Sequence, residues 1–149
     1  MQSVNPATGE VVETYAAMAD DDLEKALAGA SRTFGQWSAT ALEERSRLLK
    51  AAADHLRDNA DRYGGLITRE MGKPLAEARG EVEKCAWVCE YYADNGAGFL
   101  ADEPHPSDAT RSYVRYAPLG PVLAVMPWNF PFWQVFRAAA PTLMAGNVL

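Results

Sequence analysis

Gly120-Pro121-Val122-Leu123-Ala124-Val125-Met126-Pro127-Trp128-Asn129-Phe130-Pro131 runs from an apolar stretch straight into a turn built on two prolines. Five apolar residues after a Pro/Gly turn are the pattern of a parallel β-strand buried on both faces. The turn lies just past the strand's C-terminal end, where open α/β sheets bind their ligands. Its prolines fix the backbone around a tryptophan and a neutral amide, so Asn129 can be held where it donates to a developing oxyanion. A rigid turn with aromatic packing and no ligand accounts for the same residues equally well. Downstream, residues 132–145 can form a helix interrupted near Pro141, Gly146-Asn147 ends it, and Val148-Leu149 opens another strand. Strand, helix, strand is a βαβ unit. Residues 117–136 carry no charge and are long enough for a membrane span, but Pro118, Gly120, Pro121, Pro127 and Pro131 would break such a helix repeatedly. The segment therefore reads as buried protein interior.

Upstream the pattern is mostly helical. Asn5-Pro6-Ala7-Thr8-Gly9-Glu10 is a turn cluster followed by strand-favouring Val11, Val12, Thr14 and Tyr15, so a small β-hairpin opens the chain. Asp20, Asp21 and Asp22 stand at the positive end of a helix carrying Leu23, Ala26, Leu27, Ala30 and Phe34. Thr40-Ala41-Leu42-Glu43 has the form of a capping box, with Leu42, Leu49, Ala52, Ala53 and Leu56 as the stripe behind it and Glu43–Arg47 as an i,i+4 pair. A third helix carries Tyr63, Leu66, Ile67 and Met71 and stops at Gly72-Lys73-Pro74. The last runs from about Pro74 to about Asn95 with Ala78, Val82, Cys85, Ala86, Cys89 and Ala93 on one face. Residues 103–110 read as a loop and 111–116 as a strand. Gly96-Ala97-Gly98-Phe99-Leu100-Ala101 matches a dinucleotide fingerprint in letters only. A helix precedes it and a loop follows, so it is a helix C-terminus with glycine exits.

A net charge of −6, from 14 Lys+Arg against 20 Asp+Glu, argues against a nucleic-acid partner. Two cysteines make no disulfide framework; Cys85 and Cys89 share a helix face and read as small buried apolar residues rather than as a redox pair or metal site. The N-terminus has neither a cationic nor an apolar signal region, so a cytoplasmic protein is expected. Two strand residues at the end complete no ladder, and a two-strand parallel sheet is not a stable fold. The chain is expected to be the N-terminal part of a larger protein.

The chain resembles the N-terminal portion of the aldehyde dehydrogenase superfamily. The resemblance is carried by Asn5-Pro6-Ala7-Thr8-Gly9-Glu10, Glu70-Met71-Gly72-Lys73-Pro74 with Glu77-Ala78-Arg79-Gly80-Glu81-Val82, Pro118-Leu119-Gly120-Pro121-Val122, Pro127-Trp128-Asn129-Phe130-Pro131, and Ala139-Ala140-Pro141 with Ala145-Gly146-Asn147, in family order over the whole chain. It implies an α/β fold: part of a Rossmann-type nucleotide-binding domain, with β-strand arms that build dimers or tetramers. On that template residues 1–19 and 108–117 are oligomerisation strands, 20–107 and 118–149 are a partial NAD(P)-binding domain, and the catalytic domain lies outside these residues.

In the family a cysteine thiolate attacks the aldehyde, hydride passes to NAD or NADP, and a glutamate helps water release the acid. That cysteine, that glutamate and the ribose-binding lysine fall beyond residue 149, and the resemblance gives Cys85 and Cys89 no catalytic part. It makes Asn129 the oxyanion amide and Met126, Pro127, Trp128 and Asn129 the cofactor-lining residues near the nicotinamide. Arg137, eight residues on, is similar to the arginine that pairs with the substrate's distal carboxylate in succinate-semialdehyde dehydrogenases. Ala138 departs from the lysine common in the family at the next position. No metal is implied. Another aldehyde such as betaine aldehyde, or a non-catalytic helical oligomerisation module, are the alternatives.

Overall fold

A computed structural model describes all 149 residues. The element order is β1 (Gln2–Val4), β2 (Val11–Thr14), α1 (Asp20–Trp37), α2 (Leu42–Asp58), α3 (Ala60–Met71), α4 (Leu75–Phe99), β3 (Glu103–Pro104), β4 (Tyr113–Val114) and α5 (Pro131–Met144). Helix α4 is the centre, with α2, α3 and α5 packed around it. Its expected stripe is the core: Ala78, Val82, Cys85, Ala86, Cys89 and Ala93 are all buried, together with Leu49, Ala53 and Leu56 of α2, Ile67 of α3 and Ala140 and Met144 of α5. Each fully buried Ile67, Val82 or Met144 is worth about 1.5–3 kcal/mol of apolar transfer. Helix α3 ends as expected at Gly72, whose φ of 78° is the left-handed conformation that lets its N–H reach the Thr68 carbonyl. No helix is long and apolar enough to cross a membrane.

Several expectations are corrected. The box at Thr40 does not form: Ala41 is the N-cap, no side chain caps α2, and the Thr40 hydroxyl donates back to the Gln36 carbonyl. The buried Arg45 guanidinium holds the corner instead, donating to the carbonyls of Ser38 at 2.8 Å, Trp37 at 3.4 Å and Met144 at 3.2 Å. Arg47 pairs with Glu44, one turn back, and not with Glu43. Helix α1 forms where expected, yet buries none of its residues. Its anchor is its C-terminal end, where Trp37 Nε1 donates to the Leu143 carbonyl.

Helix α4 runs on to Phe99, taking Gly96 and Gly98 inside its last turns. Gly96 is there because Met144 lies across it: a Cβ would stand 2.4 Å from Met144 Cγ. Residues 103–110 are not all loop, since β3 pairs antiparallel with β4, and β4 keeps only two of the six residues expected of it. Helix α5 is continuous through Pro141, which lies in its closing turns and lacks the N–H that would bond the Arg137 carbonyl.

The largest departure is at residues 117–136. Leu119, Leu123 and Val125 are 96%, 89% and 86% exposed, so this is no buried interior, and residues 122–126 form no strand. One parallel bridge, Pro121 to Val148, is all that forms of the parallel sheet, with the Val122 N–H donating to the Val148 carbonyl. With a single neighbour the apolar run has neither a ladder on both edges nor cover on both faces. The side-chain oxygen of Asn147 fixes the approach to it, accepting from the N–H groups of Leu119 and Gly120 at 2.6 and 3.0 Å.

Candidate functional site

The two-proline turn lies between the unformed strand and α5. Met126 is half-buried, while Pro127, Trp128 and Asn129 are exposed. The Asn129 amide makes no hydrogen bond within the chain, although the backbone N–H groups of Phe132 and Trp133 just after it are bonded to Glu81. Arg137 is exposed two turns into α5 and joins no ion pair. The residues expected at the site are thus on one continuous segment with their polar ends free. The structure gives no contact between Asn129 and Arg137.

Cys85 and Cys89 stand apart from it, buried in α4. Burial, reinforced by Glu81, pushes the Cys85 thiol up to about 12, and burial pushes Cys89 up to about 11. Neither offers a thiolate near neutral pH.

Two residues that sequence reasoning left without a role support the turn from below. Glu81 of α4 accepts the N–H groups of Phe132 and Trp133 on one carboxylate oxygen, at 3.0 and 3.1 Å. Its other oxygen pairs with Lys73 Nζ, and both side chains are buried. That Nζ lies 3.7 Å from the centroid of the Phe130 ring, and Lys84 caps the Trp133 ring at 4.0 Å. Glu81 and Lys73 lie within the blocks quoted above, but their partners are 51 and 57 residues away in sequence for Glu81–Phe132 and Lys73–Phe130. No local spacing displays such a contact.

On the opposite side of the turn a mostly apolar cleft of about 420 Å³ runs between the β1–β2 hairpin, α3 and the turn, lined among others by Val4, Tyr15, Leu66, Glu70, Trp128 and Phe132. Neither Asn129 nor Arg137 lines it. Both are exposed outside it.

The match to the aldehyde dehydrogenase family runs over residues 1–149. The chain is 49% identical over 146 residues to a probable succinate-semialdehyde dehydrogenase (NADP+) of Synechocystis sp., covering 98% of this chain and 32% of that protein. It is 50% identical over 149 residues to succinate-semialdehyde dehydrogenase (NADP+) 1 of Mycobacterium tuberculosis, covering 98% and 33%. The crystal structure of succinic semialdehyde dehydrogenase from Streptococcus pyogenes in complex with NADP+ superposes with a TM-score of 0.93 at 39% identity, over 98% of this chain and 32% of that one. The chain spans about a third of the length of the curated relatives it matches. A match without a break from the first hairpin to the last bridge, with the same backbone path, means that the chain belongs to the aldehyde dehydrogenase family.

Proposed function

We propose that the chain is the part of an NADP-dependent aldehyde dehydrogenase that presents the oxyanion amide and the substrate-recognising arginine, and that the substrate is succinate semialdehyde. The observation that carries this is the pairing, on one short segment, of an exposed amide and an exposed guanidinium that are both without partners. Asn129 donates its amide N–H to the aldehyde oxygen as that oxygen gains negative charge, an interaction stronger in the transition state than before it. Arg137 receives the carboxylate at the far end of the substrate, for which a planar guanidinium is the matching fork. Relatives named for succinate semialdehyde and NADP+ at about half identity support the substrate and the nucleotide.

NADP+, when bound, would supply the hydride acceptor for oxidation of the substrate carbon. The residues here that would hold it are Met126, Pro127, Trp128 and Asn129. They fit a flat aromatic ring: Trp128 is 76% exposed, and no cationic side chain stands among the four to repel the positively charged nicotinamide of the oxidised cofactor. Residues 1–19 and 108–117 serve as the strands that join copies into a dimer or tetramer, and 20–107 with 118–149 as part of the nucleotide-binding domain. Two free, buried cysteines and no disulfide suit a reducing cytoplasm.

The test is kinetic. The full-length enzyme, assayed with succinate semialdehyde, butanal and betaine aldehyde against NADP+ and NAD+, is expected to give its highest kcat/KM with succinate semialdehyde and NADP+. A preference for betaine aldehyde would reject the substrate, and no activity with any aldehyde would reject the enzyme.

A further inference from the structure

We infer that Glu81 and Lys73 are positioning residues that aim the Asn129 amide; the inference rests on the role just proposed for Asn129. Helix α5 has no side-chain cap of its own, and its N-cap residue is Phe130. The first N–H groups of a helix have no partner within it and must find one elsewhere. Here those of Phe132 and Trp133 converge on one oxygen of Glu81, supplied by α4. The other oxygen is taken by Lys73, whose ammonium lies against the Phe130 ring. Lys73 and Glu81 side chains are only 6% and 2% exposed.

One buried ion pair thus grips the chain at Phe130 by its ring and at Phe132 and Trp133 by their backbone, directly after Asn129. A buried ion pair adds little net stability over an apolar pair of the same shape. What this one supplies is direction. Two N–H groups and an aromatic face fix where α5 begins and how the turn leaves it. Asn129, with no hydrogen bond of its own, inherits its orientation from that anchor. Misplacing a reacting group by about 1 Å can cost on the order of 10²-fold in rate.

The experiment uses the full-length enzyme and two double variants that both remove the buried charges. K73M/E81Q keeps an acceptor oxygen for the two N–H groups; K73M/E81L does not. K73M/E81L is expected to show a kcat at least about ten-fold below K73M/E81Q, with KM for the aldehyde within about two-fold. Hydrogen exchange at Phe132 and Trp133 should quicken only in K73M/E81L. In an Asn129→Ala background the difference in kcat should vanish, because no amide is left to aim. If K73M/E81L does not fold, Glu81→Asp, which keeps the charge and withdraws it by one methylene, takes its place against the same ten-fold expectation. Equal kcat in the two variants, or a difference that persists undiminished without Asn129, overturns the inference alone. A wild-type enzyme that oxidises no aldehyde overturns it together with the proposed function.

Discussion

Asn129 is exposed, and its amide makes no hydrogen bond within the chain. In the full-length enzyme Asn129→Ala should lower kcat by about 10²–10³, the usual loss for one oxyanion donor. Thermal stability should stay nearly unchanged, because an exposed side chain without a hydrogen bond is removed. A fall in Tm with turnover intact would mean that Asn129 only shapes the turn. Arg137→Ala should lower kcat/KM for succinate semialdehyde by about one to two orders of magnitude, since a hydrogen bond to a charged group is worth roughly 1.5–3 kcal/mol. Butanal has the same chain without the carboxylate and should barely respond. Equal losses on both substrates would make Arg137 structural. The turn around Asn129 was legible in the sequence because two prolines after an apolar run are a local pattern; Arg137 was singled out only by the resemblance. Glu81 and Lys73 were not legible, since what they do is defined by partners on another helix.

At the scale of elements, α4 was readable and its neighbours less so. A helix packed on several sides must place small and apolar residues at regular spacing, and 78, 82, 85, 86, 89 and 93 do so. Helix α1 has as clear a stripe, yet Leu23 and Leu27 are 47% and 54% exposed. Periodicity reports which face would be buried; it does not report whether a partner is present. The Thr40 box fails for a related reason. A cap contributes about 1 kcal/mol, and a buried guanidinium serving three carbonyls outweighs it. The crossing of α4 and α5 at Gly96 offers a test in which two effects oppose each other. Alanine favours a helix over glycine by about 0.8–1 kcal/mol. A Cβ 2.4 Å from Met144 Cγ forces the two helices or the methionine to move, at a cost of about 1–3 kcal/mol. Gly96→Ala should therefore destabilise on balance, read as a lower urea midpoint. In a Met144→Ala background, where the space is open, the same change should stabilise.

At the scale of the whole molecule the chain is an organised helical half attached to an unfinished sheet. Leu119, Leu123, Val125 and Trp128 form an exposed apolar edge beside one parallel bridge. Such edges associate. The 149-residue chain alone should sediment as more than a monomer, increasingly so with concentration. It should form no NADPH from any aldehyde, because its two thiols are buried and protonated and no third is present. NADPH formation by the purified chain would refute this. The fold class was legible from residues 121–131, but the strand itself was not, because a parallel strand exists only through its neighbours.

The grip of Arg45 and Trp37 on the last turn of α5 bears on the order in which the chain acquires its shape. These contacts join residues 99 and 106 positions apart, whereas α2, α3 and α4 follow one another directly. Contacts between near neighbours form soonest, because little loop entropy opposes them. During synthesis the α2–α4 core can settle while α5 is still emerging, leaving the Arg45 guanidinium, the Trp37 indole N–H and the Glu81 carboxylate in place to receive it. Pulse-labelled hydrogen exchange during refolding should protect amides of α2 and α4 before those of Phe132 and Trp133, so that the start of α5 and the two-proline turn before it become native later than the helices that receive them.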